Sequence, residues 1–277
     1  MAETRTEKSH TIAIVNQKGG VGKTTTSINL AAALAGKGQR VLLVDLDPQG
    51  NASTGLGVRR ADRGVSAYEV LVEERPASEA TVATATDGLS LLPSSVDLAS
   101  AELEIGTRAG RTGRLKASLQ SVAGQYDYIL LDCPPSLNIL TVNALVAAES
   151  VLVPLQCEFY ALEGLSQLLK TVEMAKGQLN PDLYIEGVML TMYDRRNRLS
   201  AQVAQDVRQH LGRAVFDTLI PRNVRIAEAP SFGQPVTEYD PHCAGSRAYR
   251  ALAEEILKRH AARKGSRAKH KQSQEVN

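Results

Sequence analysis

The run Gln17-Lys18-Gly19-Gly20-Val21-Gly22-Lys23-Thr24-Thr25 constrains this chain more than any other feature. It follows the apolar stretch Thr11–Val15 and leads into a helical pattern over Thr24–Gly36. A strand, a glycine loop and a helix in that order form the setting in which a loop cradles phosphate. Glycines let successive backbone N–H groups turn inward without Cβ clashes. The start of the helix adds the positive end of its dipole. On this reading Lys23 brings a point charge to the β- and γ-phosphates, and Thr24 offers a hydroxyl to Mg²⁺. Gly19, Gly20, Val21, Gly22 and Thr25 complete the nucleotide-binding loop. The loop departs from G-x-x-x-x-G-K-[ST] at one end: Gln17 stands where the first glycine belongs, and a second lysine, Lys18, lies early in the loop.

Two more segments carry acids at the ends of apolar runs. Val41-Leu42-Leu43-Val44 leads to Asp45 and Asp47, and Tyr128-Ile129-Leu130-Leu131 leads to Asp132. In a parallel sheet, the carboxyl ends of neighbouring strands converge on the ligand crevice. All three acids are therefore expected near the phosphates held by Lys23. An acid after four apolar strand residues suits a role in holding Mg²⁺, directly or through water. Asp47, just past its strand, suits positioning or deprotonation of an attacking water. Taken singly, each acid also fits a turn or helix cap.

The remaining pattern specifies the fold class. Further strand candidates are Leu89–Leu92, Val151–Pro154, Ile185–Thr191 and Thr218–Ile220. They are rich in Val, Ile and Leu with little polar alternation, as strands covered on both faces are. Helical stretches separate them: Val96–Ile105, Leu137–Ala147, Leu162–Leu179, Ala201–Leu211 and a final Ala248–His260. Alternation of this kind predicts an α/β fold of three layers, a P-loop NTPase with a mainly parallel, twisted sheet and helices on both faces. The segment Val58–Thr86 shows weak periodicity. The expected organisation is a flexible N-terminus over 1–9, one ATPase domain over 10–260 and a basic, disordered tail over 261–277.

Charge and cysteine content narrow the setting. From Lys258 onward the chain carries seven Lys/Arg and one acid, so this end holds +6 of a net +2, leaving −4 for residues 1–257. Such a tail is either a solvated end or a hook for a polyanion. The three cysteines are widely spaced and fit neither a disulfide framework nor a zinc site. Met1–Ser9 has no signal-peptide stretch, and no apolar run approaches the ~18 residues of a transmembrane helix. The expectation is a cytoplasmic protein.

The motifs together are familiar. Lys-Gly-Gly-Val-Gly-Lys-Thr-Thr, Asp-Leu-Asp-Pro-Gln-Gly-Asn and Leu-Asp-Cys-Pro-Pro-Ser resemble the deviant Walker motifs of the ParA/MinD family. Ile220–Ser231 resembles the adenine-side segment of its chromosome-partitioning, Soj-type branch. The resemblance runs from about Thr11 to about Leu257. It implies slow, Mg²⁺-dependent ATP hydrolysis and a homodimer closed around two ATP molecules. In that arrangement Lys18 would reach the partner subunit's phosphates, as an arginine finger does. Asp47 would orient water, Asp45 would act as a switch residue beside the metal with Thr24 and Asp132, and Pro221 and Asn223 would line the adenine. Gly19 would sit where the loops of two subunits meet.

Three outputs are open to such an ATPase. The first is nonspecific double-stranded DNA binding on the nucleoid. Arginines recur late in the chain, among them Arg195, Arg198, Arg222, Arg247 and Arg250. By resemblance, Arg196 and Arg225 match DNA-contacting positions, and no helix-turn-helix or zinc-finger pattern is present to read bases. The expected partner is a ParB-type centromere-binding protein, with another nucleoid-positioned cargo as a variant. The second is MinD-like membrane positioning, disfavoured because the tail after Leu257 has no large apolar residue to insert. The third is an iron–sulfur reductase, for which Cys133 and Cys157 would be the ligands; burial as small hydrophobes suits both better.

Overall fold

A computed structural model describes residues 9–275, and their side chains as far as Gly265. The expected flexible N-terminus lies outside the described residues except for Ser9, which is buried and donates its hydroxyl to the Tyr126 carbonyl at 2.6 Å. Eight strands form one sheet: β1 (His10–Ile14), β2 (Val41–Asp45), β3 (Val82–Ala83), β4 (Leu89–Leu92), β5 (Tyr128–Asp132), β6 (Ser150–Gln156), β7 (Tyr184–Tyr193) and β8 (Val215–Pro221). Their spatial order is β3-β4-β2-β5-β1-β6-β7-β8. The two-residue β3 runs antiparallel to β4, and the other neighbours are parallel.

The strands are apolar on both sides because both sides are covered. Ile12, Ile14, Leu43 and Leu130 face one core with Leu30 and Leu34 of the helix Lys23–Ala35 and Leu252 and Ile256 of the last helix. Ala13, Leu42, Val44 and Leu131 face the opposite core with Leu140, Leu165, Leu168 and Val203 from three other helices. Each fully buried leucine contributes roughly 1.5–3 kcal/mol relative to exposure. The expected three-layer α/β fold is the observed one.

The chain leaves β1 to build β2, β3 and β4 on one side. It returns through β5 and then builds β6, β7 and β8 on the other side. The order therefore reverses beside β1, the point where open parallel sheets place a ligand crevice outside the carboxyl ends of their strands. Register sharpens this. Asp132 pairs across β1 with Ile14 and across β2 with Asp45, so the two acids stand side by side where the crevice opens.

Helix boundaries moved for local reasons. The stretch Val96–Ile105 divides into a 3₁₀ turn, Val96–Ser100, and a short helix, Ala101–Ile105. Ser100 Oγ donates to the Asp97 carbonyl at 2.7 Å, a local bond that competes with helix continuation. Asn138 and Asn197 cap Ile139–Ala147 and Arg198–Leu211. In the weakly periodic Val58–Thr86, Ser66 and Glu69 form a capping box that starts the helix Ala67–Val72. The last helix runs Ala244–Glu275, past its expected end at His260. Its backbone is helical through most of the segment expected to be a disordered tail, which suits the good helix formers Ala261, Ala262, Arg263 and Lys264. Among the described residues, no helix is long and apolar enough to cross a membrane.

Candidate nucleotide site

The glycine loop leaves β1 and turns into the helix Lys23–Ala35 through two left-handed residues, Gly20 (φ 76°) and Gly22 (φ 91°). Gly22 is the residue before the helix, and a Cβ there would lie 3.8 Å from the Thr191 side chain. Thr191, near the end of β7, donates its hydroxyl to the Val21 carbonyl at 2.8 Å and so pins the loop from two strands away. Asn16 secures the other end. Its amide donates to the Pro154 carbonyl at 2.7 Å, and its side-chain oxygen accepts from the Lys18 N–H at 3.0 Å. The outer face is open: a Cβ at Gly19 would meet nothing within 4 Å.

The two lysines are placed differently. Lys23 is buried, and its ammonium donates to the Lys18 carbonyl at 3.1 Å. Burial pulls its pKa down, opposed by Asp132, Cys133 and Asp47. A buried ammonium held by the loop's own carbonyl suits an incoming anion. Lys18 points outward, half-exposed, and pairs with Glu158 beyond β6. The loop thus presents one lysine inward and one outward.

The acids converge as expected, but they are not equivalent. Asp45 is fully buried. Its Oδ2 accepts from Ser53 N–H at 2.8 Å and Ser53 Oγ at 2.6 Å, and its Oδ1 from Asp47 N–H at 3.2 Å. Burial still raises its pKa to about 6, with Asp47 adding to the rise. Asp132 Oδ1 accepts from Ser27 Oγ at 2.8 Å, while its buried Oδ2 has no partner. Burial and the neighbouring Asp45 raise its pKa to about 8, against the Ser27 hydrogen bond and the nearby Thr24 hydroxyl. An orphaned carboxylate oxygen next to a threonine hydroxyl and a second acid fits a hard dication with oxygen ligands. Asp47, half-buried, accepts from the Gln49 N–H at 3.0 Å.

Several partners here carried no motif. Ser27 and Ser53 bond the two buried acids, and Thr191 lies within an ordinary strand. Arg63 reaches back from the weakly periodic region to the Gly50 carbonyl at 3.1 Å, Thr54 Oγ1 at 2.7 Å and the Ser94 carbonyl at 3.1 Å. It ties down the segment that follows Asp47. The Ser66 capping box shows that this region held readable helix signals.

The adenine-side and DNA-side candidates lie at the neighbouring ends of β7 and β8. Pro221 ends β8 and lines a cleft of about 620 Å³ with Tyr193, Arg195, Arg196, Arg222 and Arg247. Asn223 caps the helix Val224–Glu228 by accepting from the Arg225 N–H at 2.9 Å. The Arg196 side chain is 90% exposed and pairs with Asp194 of its own loop at 3.0 Å. Arg225 pairs with Glu228 at 2.9 Å and Asp240 at 3.4 Å. Exposed pairs of this kind are worth little and can exchange partners. Cys133 and Cys157 are buried, and burial raises both thiols, Cys157 to about 11. They sit as small hydrophobes rather than thiolate ligands.

Comparison with known proteins places the chain in a family. Residues 9–185 match a family model described as an AAA domain. The chain is 58% identical over 259 residues to the chromosome partitioning protein ParA of Caulobacter vibrioides, covering 93% of this chain and 97% of that one. It is 53% identical over 245 residues to the sporulation initiation inhibitor protein Soj of Bacillus subtilis, covering 88% of this chain and 97% of that one. Among solved structures, a protein from Mycobacterium smegmatis named cobyrinic acid a,c-diamide synthase, with a bound ATP analogue and magnesium, superposes with a TM-score of 0.79 at 41% identity. That match covers 90% of this chain and 95% of the other.

Proposed function

Because the chain belongs to the AAA-domain family and, within it, to the ParA/Soj partitioning ATPases, we propose that its ATP cycle drives dimerisation and DNA binding. The observation that carries this is the split between its lysines. Lys23 is buried beside Asp132 and Asp47, whereas Lys18 leaves the same loop toward solvent. One lysine serves the chain's own phosphates, and the other is free to serve a second copy's once it leaves Glu158. Gly19, with open space around it, is where that copy approaches.

In this reading Lys23 and the loop N–H groups hold the β- and γ-phosphates, and Asp47 orients a water for in-line attack on the γ-phosphorus. ADP leaves, and the water's proton passes to Asp47 or to solvent. Thr24 and the free oxygen of Asp132, with Asp45 beside them, would hold Mg²⁺, whose chemistry is to neutralise charge on the phosphate oxygens. Asp45 is bonded through Ser53 to the segment after Asp47, so it links the phosphate site to that segment. Pro221 and Asn223 lie on the adenine side. With Asp45 and Asp132 given to the metal, Asp47 is the acid of this cluster left to act on the water, which suits slow hydrolysis.

Dimerisation doubles a DNA-binding surface that includes Arg196 and Arg225, and nonspecific affinity follows from phosphate neutralisation. The setting is the cytoplasm and its nucleoid. A ParB-type protein stimulates hydrolysis and releases the DNA; if it does not, the cargo is a different one. The decisive experiment is binding to unrelated duplexes with ATP, ADP or no nucleotide across a salt series. Binding that requires ATP, ignores sequence and falls with salt is expected, and binding independent of nucleotide would remove the reading. Asp47→Ala should hold an ATP-bound, DNA-bound dimer that turns over at least ~100-fold slower. A monomeric Asp47→Ala with ATP would deny Asp47 the water. Arg225→Glu should weaken DNA binding and reduce the salt slope by about one, with ATP affinity unchanged.

A further inference from the structure

At the amino-terminal end of the sheet, opposite the nucleotide site, three side chains from distant segments converge. His10 opens β1, Glu186 lies near the start of β7, and His260 is on the last helix. His260 Nε2 lies 2.8 Å from Glu186 Oε2, and His10 Nε2 lies 3.7 Å from the same oxygen. One ligand-capable atom from each of the three lies within 4.8 Å of the others. Zinc bonds of about 2.0–2.1 Å in a tetrahedron place ligand atoms roughly 3.3 Å apart, between the two distances seen. Glu186 and His260 are buried, and His10 is largely so.

The outer contacts orient both rings. His10 Nδ1 lies 2.8 Å from the Glu149 carboxylate, and His260 Nδ1 lies 2.9 Å from Tyr128 Oη. With each Nδ1–H given to those oxygens, each Nε2 lone pair points at the third residue. A histidine held at Nδ1 by a carboxylate or another oxygen, with Nε2 turned inward, is the outer arrangement that metal-binding imidazoles need. Glu186 supplies the second sign. The oxygen Oε2 accepts the Tyr184 hydroxyl at 3.0 Å as well as facing both rings, while the buried Oε1 has no partner. With both rings in that tautomer, a buried carboxylate with an orphaned oxygen between them would take up a cation.

We propose that His10 Nε2, His260 Nε2 and the Glu186 carboxylate form a site for a tetrahedral transition-metal dication, zinc above all. The Tyr184 hydroxyl, 3.0 Å from Glu186 Oε2 and 3.4 Å from His10 Nε2, or a water, completes the coordination. Ser150 Oγ, 3.1 Å from His10 Nε2, borders it. Two imidazoles and one carboxylate select zinc or cobalt over magnesium or calcium, which prefer oxygen ligands. Bound metal would staple the last helix to the strands that begin β1 and β7, far from the phosphates.

The test uses the untagged full-length chain, loaded with Zn²⁺ or Co²⁺, dialysed and assayed by plasma mass spectrometry. One equivalent per chain is expected, undiminished by Asp132→Asn, which alters only the opposite end. The Co²⁺ form should show the intense visible bands of a tetrahedral ion, and chelation should lower the thermal midpoint by several degrees. Glu186→Gln, nearly isosteric and able to keep its hydrogen bonds, should lose the metal while remaining folded by circular dichroism; His260→Ala should lose it too. A folded wild type that retains no more zinc or cobalt than a metal-free control protein would overturn the proposal. So would undiminished retention by Glu186→Gln. Either result would leave the three residues as a hydrogen-bonded clasp.

Discussion

The central strands carry a buried ionic cluster at each end, and the two are balanced in opposite ways. At the carboxyl end, Asp45 and Asp132 are register neighbours, Asp47 lies close by, and Lys23 is the cation among them. Burial and mutual repulsion push Asp132 up to about 8 and Asp45 to about 6. At the amino end burial also pushes Glu186 up, but the neighbouring His10 and His260 rings, where they carry protons at Nε2 in place of a metal, outweigh it and hold this carboxyl well below the usual range. One cluster has more acids than cations, and at the other two imidazoles face one carboxylate and can balance it with their own protons or with a bound metal. Strain at a functional site, carried by a rigid scaffold, is the common division of labour.

The largest expected effect comes from removing Lys23, the buried cation among the acids at the carboxyl end. Lys23→Ala should cut ATP turnover by roughly 100-fold or more, the usual loss when a charge aimed at the transition state goes. Phosphate release at saturating ATP checks it. Turnover within a few-fold of wild type would mean that the phosphates lie elsewhere.

The second expectation concerns pH. A carboxyl whose folded pKa exceeds its unfolded value keeps its proton in the folded state where the unfolded chain has lost it. The folded state then binds more protons, and stability falls as pH rises. For Asp132 the window runs from its ordinary 3.8 to about 8, and for Asp45 from 3.8 to about 6. Urea midpoints of the nucleotide-free protein should therefore decline through that window, by an amount on the order of the 1–3 kcal/mol of an unsatisfied buried group. Asp132→Asn should flatten the decline. A profile unchanged by that substitution would show that the acids' proximity is not what strains this end.

The comparison also explains what could be read from the sequence. The carboxyl end was legible because its chemistry is contiguous: Lys23 and Thr24 share one loop, and Asp45 and Asp132 each end an apolar run. The alternation of buried strands and helices was legible for the same reason, since each element announces itself within a few residues. What supports the acids was not. Ser27 is one more serine in a helix, Thr191 one more strand residue, and Arg63 acts across the chain from a region of weak periodicity. The amino end was wholly illegible. His10 and His260 come from near opposite ends of the chain, and only the sheet order and the docking of the last helix bring them to Glu186. The expected tail showed the converse, because basic composition suggested an irregular end while the same residues are good helix formers.

The smallest effect separates two roles of one hydroxyl. Ser53 Oγ donates to Asp45 Oδ2 at 2.6 Å and accepts from the Ser94 N–H at 3.1 Å. Ser53→Ala removes both bonds, leaving the Ser53 N–H still on Asp45. The expected cost is about 1–2 kcal/mol, read from urea midpoints of the two proteins. The portion due to Asp45 exists only while Asp45 is charged. Losing a donor to the charged form raises the Asp45 pKa further above about 6, so the gap between the proteins should widen as pH rises through that value. A gap that stays constant from about pH 5 to about pH 8 would assign the cost to the Ser94 N–H alone. Asp45 would then be held by backbone, and the link from the phosphate site to the segment after Asp47 would not pass through the Ser53 side chain.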